Sequence, residues 1–339
     1  MSAFSIWLNR VLFVEKNCHF CKFGVSYRVG NKQTGKICKS PIKGNVRKEI
    51  KTVVFSSLEF VIGFLPIFLL CYYILPDKWK NTGLLLFSFA FYAYGSIETP
   101  WYILLFVVSV VVNYFLARYI QKTGSLVLLA IGIVYDLSWL ILFKYSGLGF
   151  VLPVGISFYT FQEISYLIDV YRKDVRAQRK FVDMAVYIMM FPQLIAGPIV
   201  RYSDVQKVLR KRTVKLSRVL DGVKIFIIGM GFKVLLANRI GKLWTDVCTI
   251  GPESISTPLA WMGIIAFSMQ IYFDFNGYSL MAIGLGKMIG FKFPKNFNHP
   301  YLSVSMTEFW RRWHMTLGSW FREYVYIPLG GNRKGKMDH

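Results

Sequence analysis

The sequence is poor in charge and, within that, poor in acid. Only 17% of its 339 residues are charged, against about 25% in an ordinary soluble domain. There are 18 acidic residues to 41 basic ones, 4 histidines and 5 cysteines. So little charge excludes a disordered chain, and so few cysteines exclude a disulfide scaffold. The missing polarity is replaced by apolar side chains, which make up 54% of the chain. In water they would leave large adhesive patches. A net charge of +23 in a soluble protein would suggest nucleic acid. Here Lys and Arg crowd the connections between apolar runs, as cytoplasmic loops and contacts to anionic headgroups require. Membrane lipids are therefore the expected partners of the basic residues, and nucleic acid is not.

Residues 1–52 form a separate compositional block. They hold eleven basic residues and two acids, Glu15 and Glu49. This extension is expected to be disordered, or to be translated sequence upstream of the natural start. Cys18-His19-Phe20-Cys21 has the spacing of half a zinc site, but a second spaced pair is missing, so no metal is expected.

The apolar runs begin at Val53. They cover 53–75, 83–95, 101–117, 125–143, 147–171, 181–200, 219–237 and 257–291. The last is too long for one helix, and Asp274-Phe-Asn-Gly277 is expected to break it. The pattern predicts an all-α polytopic membrane protein, a bundle of about eight or nine embedded segments. Further on, Ser305 and Glu308 have capping-box spacing, and Phe309, Trp313, Leu317 and Trp320 share one helical side. This predicts an amphipathic or re-entrant helix over 303–323.

Ionisable groups in hydrocarbon are expensive, so those in the apolar runs are functional candidates: Glu59, Asp136, Glu163, Asp169, Asp183, Asp274, Glu308 and His314. Gln162, Ser165, Tyr166 and Asp169 fall at helical spacing. They line a polar cavity or hold helices together by hydrogen bonds. Asp274 to Gly277 marks either a broken helix beside a substrate or a plain turn. Trp310-Arg311-Arg312-Trp313-His314 combines a general base with two anion-binding side chains, or serves as an interfacial anchor.

Longer blocks carry a resemblance. Leu152-Pro-Val-Gly-Ile-Ser-Phe-Tyr-Thr-Phe-Gln-Glu-Ile-Ser-Tyr-Leu-Ile-Asp-Val-Tyr-Arg172, Phe191-Pro-Gln-Leu-Ile-Ala-Gly-Pro-Ile-Val-Arg201, Tyr272-Phe-Asp-Phe-Asn-Gly-Tyr-Ser279, Glu308-Phe-Trp-Arg-Arg-Trp-His-Met-Thr-Leu317 and Leu329-Gly-Gly-Asn-Arg333 resemble the membrane-bound O-acyltransferases. The likeness is to their bacterial alginate O-acetyltransferase branch, which is related to the D-alanyl transfer protein of teichoic acids. It covers residues 53–335, leaving 336–339 as an aberrant terminus.

The resemblance implies a multi-pass protein of the cytoplasmic membrane. It would move an acyl group, acetyl in this branch, from a cytoplasmic thioester such as acetyl-CoA to hydroxyls of an extracytoplasmic polysaccharide, directly or through an acetyl-accepting partner protein. No bound cofactor is implied. His314 matches the first of the family's two functional histidines. Arg311, Arg312, Trp313, Asp274, Asn276, Gln162 and Glu163 would bind donor or line the tunnel. The second histidine lies in a Leu-Trp-His-Gly block with no counterpart here, and Leu280 stands where an acid is expected. The resemblance thus implies a fragment or truncated product. A non-catalytic scaffold and an acyl-donor channel are the alternatives.

Overall fold

The computed structural model describes residues 54–250 and 254–331. The expectations for 1–52, for Cys18 and Cys21, and for 336–339 lie outside the described residues. Among those described, every regular element is helical. Helix α1 (Glu59–Ile74) opens with a π-helical stretch, Glu59–Phe64, and stops short of Pro76. It is followed by α2 (Lys80–Gly95), α3 (Trp101–Thr123), α4 (Leu126–Tyr145), α5 (Ile156–Tyr171), α6 (Phe181–Met189) and the single turn α7 (Phe191–Leu194). The second part contains α8 (Tyr202–Arg210), α9 (Leu216–Gly231), α10 (Asn238–Ile250), α11 (Thr257–Met288), α12 (Met306–Arg312) and α13 (Met315–Phe321). A π-helical run, Phe232–Ala237, joins α9 to α10.

Among the described residues two helices, α3 and α4, are long and apolar enough to cross a membrane. Local chemistry sets the boundary between them. Gly124 adopts φ 63°, a left-handed conformation that costs glycine little, and its N–H closes on Ile120 O. Ser125 then caps α4, its hydroxyl accepting from the Leu128 N–H. Apolar side chains face outward from both: Leu104, Val108 and Phe115 on α3, and Ile131, Val134 and Ile141 on α4. The spacing gives continuous apolar stripes on the outside of the bundle, the arrangement hydrocarbon requires and water penalises.

The interior is aromatic. Phe191 of α7 meets Phe64 and Phe68 of α1 edge to face, with ring centroids 5.3 and 5.1 Å apart. Phe60 and Phe91 pack around the same ring. Helix α5 is enclosed along almost its whole length, from Tyr159 to Val170.

The expected break at Asp274–Gly277 does not occur. Helix α11 runs through it without interruption for 32 residues, about 48 Å. Gly277 serves close approach instead of chain reversal. A Cβ on Gly277 would stand 2.7 Å from Gly229 O, and one on Gly229 would stand 2.6 Å from Gly277 O. Seven residues away the exchange repeats: a Cβ on Gly222 would meet Gly284 O at 2.7 Å, and one on Gly284 would meet Gly222 O at 2.7 Å. Helices α9 and α11 are therefore antiparallel and touch backbone to backbone, the small-residue packing that membranes favour.

Two substitutions of opposite sign test this seam. Gly229→Val forces methyl groups into the α11 backbone and should lower stability by 3 kcal/mol or more, roughly the upper end of overpacking costs. Gly231→Ala points into open space, with no neighbour nearer than 4.0 Å, and should be neutral or gain up to about 1 kcal/mol in helix propensity. Thermal unfolding of the detergent-solubilised variants, followed by size-exclusion chromatography, measures both.

Candidate active site

His314 lies at a hinge. The predicted helix over 303–323 is two short helices, α12 and α13, that meet at Trp313 and His314. The N-terminal half forms as expected: Ser305 Oγ accepts from the Glu308 N–H, while Glu308 Oε2 accepts from the Val304 N–H at 3.0 Å. The hinge has a definite cause. Arg312 O accepts from Asn298 N–H at 3.0 Å, and Met315 N–H donates to Asn296 O at 2.8 Å. The segment around 296–298 thus captures backbone groups on both sides of His314. His314 itself takes φ 44°, ψ 54°, a left-handed conformation costing a residue with a Cβ about 1–2 kcal/mol. Phe309 and Trp313 consequently stack on each other, 5.6 Å apart, while Trp320 turns to α5. There Trp320 Nε1 donates to Phe161 O at 3.0 Å.

The hinge buries the imidazole, which is 3% exposed. The ring meets Phe275 of α11 edge on at 4.8 Å, and Phe297 stands against both Phe275 and Trp313. His314 Nδ1 is 2.8 Å from Asn296 Oδ1. Thr316 Oγ1 donates to the same oxygen at 2.9 Å and accepts from Ile199 N–H at 3.1 Å. His314 Nε2 and Asn296 Nδ2 are buried and have no hydrogen-bond partner among the described residues. In an apolar interior each such atom costs on the order of 1–3 kcal/mol. They are the unused hydrogen-bonding atoms of this cluster among the described residues.

The other predicted residues divide between this site and the frame around it. Trp313 is buried beside the hinge. Arg312 is tied to Glu308 at 2.5 Å, and Arg311 is exposed. Asp274 and Asn276 flank Phe275 on α11. Asp274 is ion-paired with Lys233, and Asn276 Nδ2 donates to Tyr272 Oη at 3.2 Å. Glu163 lies elsewhere. On α5 it is about 200° round from Phe161, the residue that meets Trp320. It accepts from Ser109 Oγ of α3 at 2.9 Å. In the same region Asn113 Nδ2 donates to Asp136 Oδ1 of α4 at 2.8 Å, so buried polar side chains link α3 to both α4 and α5. Gln162 is buried beside Glu163, its Oε1 without a partner among the described residues. Of the polar face read on α5, Asp169 accepts from Tyr324 Oη at 2.9 Å and Tyr166 Oη accepts from Gln178 N–H at 2.8 Å. These are bonds between segments of the bundle.

Sequence reasoning missed Asn296, Thr316 and Lys233. For Lys233 the signal was present: a cation in the 219–237 run and an acid in the 257–291 run are each costly in hydrocarbon and cheap together. For Asn296 the signal was faint, a lone amide between Lys295 and Phe297.

Against this geometry, comparison with known proteins is specific. A family model described as MBOAT, membrane-bound O-acyltransferase family, matches residues 172–338, which include the hinge, α11 and the α9–α11 seam. The chain belongs to that family. It is 42% identical over 306 residues to the probable alginate O-acetylase AlgI of Pseudomonas aeruginosa, covering 83% of this chain and 58% of that protein. It is 35% identical over 333 residues to the peptidoglycan O-acetyltransferase of Helicobacter pylori, covering 83% of this chain and 62% of that one. It is 31% identical over 179 residues to the teichoic acid D-alanyltransferase of Bacillus subtilis, 51% of this chain and 45% of that protein. The chain spans about three-fifths of the length of the first two of these relatives.

The Lys233–Asp274 pair yields a test. Lys233→Met removes the cation ion-paired with the partly buried Asp274 and should cost about 1–3 kcal/mol, less than the roughly 3–5 kcal/mol of breaking a fully buried pair. Lys233→Met combined with Asp274→Asn should recover most of that loss. A double-mutant cycle on the thermal stability of purified protein reads the coupling; additive losses would exclude it.

Proposed function

We propose that this chain is the core of a membrane-embedded O-acyltransferase, with about eight or nine embedded segments in the cytoplasmic membrane. It moves an acetyl group from a cytoplasmic thioester, acetyl-CoA being the simplest, to hydroxyls of an extracytoplasmic polysaccharide, directly or through an acetyl-accepting partner protein. The relatives' names support the chemistry: they act on alginate and on peptidoglycan as O-acetyl-transferring enzymes.

The observation that carries the reading is the state of His314. It is a buried histidine, held through Nδ1, with Nε2 open and aromatic rings around it. An unpartnered imidazole nitrogen among aromatic rings suits proton transfer to or from an oxygen. The acceptor hydroxyl forms a C–O bond to the thioester carbonyl carbon. Its proton passes to a base, the C–S bond breaks, and the thiolate leaves and takes up a proton. His314 Nε2 holds or polarises the reacting oxygen. The aromatic walls keep out the water that would hydrolyse the thioester. Arg311, which is exposed and one turn from the hinge, would meet the phosphates of the donor.

Changing His314 to Ala tests the reading in cells whose polymer acetylation depends on this protein. Acetyl release from the isolated polymer should fall by about 10²–10⁴-fold, the range for losing a general acid–base, with the variant still inserted and abundant by immunoblot. Unchanged acetylation at equal abundance refutes it and favours a non-catalytic scaffold.

A further inference from the structure

We propose that Asn296 is the positioning residue of the site: it pins the proton of a neutral His314 on Nδ1 and so leaves the lone pair on Nε2. An asparagine amide can be turned either way, and its orientation is settled by its neighbours. Here the neighbours are donors. Thr316 N–H, which cannot accept, faces the Asn296 atom at 3.4 Å. Thr316 Oγ1 faces it at 2.9 Å, and because this hydroxyl already accepts from Ile199 N–H, its own hydrogen is free to be given to the amide. The atom they meet is therefore an acceptor, Oδ1. The imidazole nitrogen 2.8 Å from that acceptor must be the donor. A neutral imidazole carries one proton, so Nε2 carries none.

The backbone makes the same residue structurally responsible for the hinge. Asn296 O holds Met315 N–H, so one asparagine sets both the place of His314 and its tautomer. The opposite end of the amide is equally specific. Asn296 Nδ2 is buried without a partner among the described residues, as is His314 Nε2. One hydrogen-bonded pair thus presents an unused donor and an unused acceptor. The Nε2 lone pair faces away from the amide and fits a group that donates a hydrogen bond or proton to it, as a hydroxyl does. It does not fit a carboxylate or a hydrocarbon.

The proposal rests on the acyltransferase reading only for its effect on rate. The tautomer is tested independently. Full-length protein labelled with ¹⁵N-histidine is reconstituted in nanodiscs, and the four histidines are assigned by single replacement, His314→Gln included. The His314 spectrum should show a protonated Nδ1 and an unprotonated Nε2. Asn296→Leu should lose that preference, whereas Asn296→Asp, which keeps the acceptor, should retain it. In acetylation, Asn296→Leu should lose about 10–100-fold, the usual cost of removing a partner that orients a working histidine. Asn296→Asp should recover part of that loss.

A proton on Nε2, or on both nitrogens, in the wild-type spectrum overturns the proposal, and so does an unchanged tautomer in Asn296→Leu. The wild-type spectrum decides even if the leucine variant fails to fold. If His314→Ala leaves acetylation intact while the tautomer follows Asn296, the catalytic reading fails and this one stands.

Discussion

The hinge that carries His314 is held by residues 296–298, and above all by Asn296, in a place where water cannot repair a broken bond. Asn296 binds residues 314, 315 and 316 through its carbonyl and side-chain oxygens. In solvent such bonds are worth about 1 kcal/mol each. In a lipid-embedded bundle, breaking them strands buried donors and acceptors at several kcal/mol apiece. That difference is what allows the protein to hold a histidine in a left-handed conformation that its Cβ disfavours. The short helices on either side are too brief to be stable alone. They persist because their ends are tied to 296–298 and because Trp320 and Tyr324 are bonded into α5.

The sequence and the structure agree where a signal is local and repeated. Apolar runs at 101–117 and 125–143 became α3 and α4, displaced by a few residues at their ends by Gly124 and Ser125. Ser305 and Glu308 cap a helix as their spacing requires. The all-helical class followed from the same periodicity. His314 stood out because a base, two arginines and two tryptophans are adjacent in the chain, and family resemblance gave that cluster its meaning.

What was illegible depends on residues far apart. A glycine between polar residues reads as a break, and only the arrival of Gly229 turns Gly277 into a contact. A capped amphipathic pattern reads as one helix, and nothing in it foretells that residues 296–298, more than a dozen positions earlier, take the backbone groups that would have continued it. Glu163 and Asp169 look alike as intramembrane acids on one helix. Their partners, Ser109 and Tyr324, show that each ties α5 to a different segment of the bundle. Polarity in an apolar run marks a residue as important without saying whether it works on a substrate or on a neighbouring helix.

The seam between α9 and α11 has a consequence for motion. Side chains in ordinary helix packing can change rotamer and let one helix slide over another by small steps. Two backbones in contact at paired glycines have no side chains to flex. Slippage by one residue would bring Met230 or Tyr278 into a space that accepts only hydrogen. The next equivalent register lies a full seven residues, about 10 Å, along the axis. The two helices must therefore travel as one rigid body. Any opening of the bundle beside this seam has to occur between this body and its neighbours. Phe275, carried on α11 against the imidazole, would report that movement at the ring of His314.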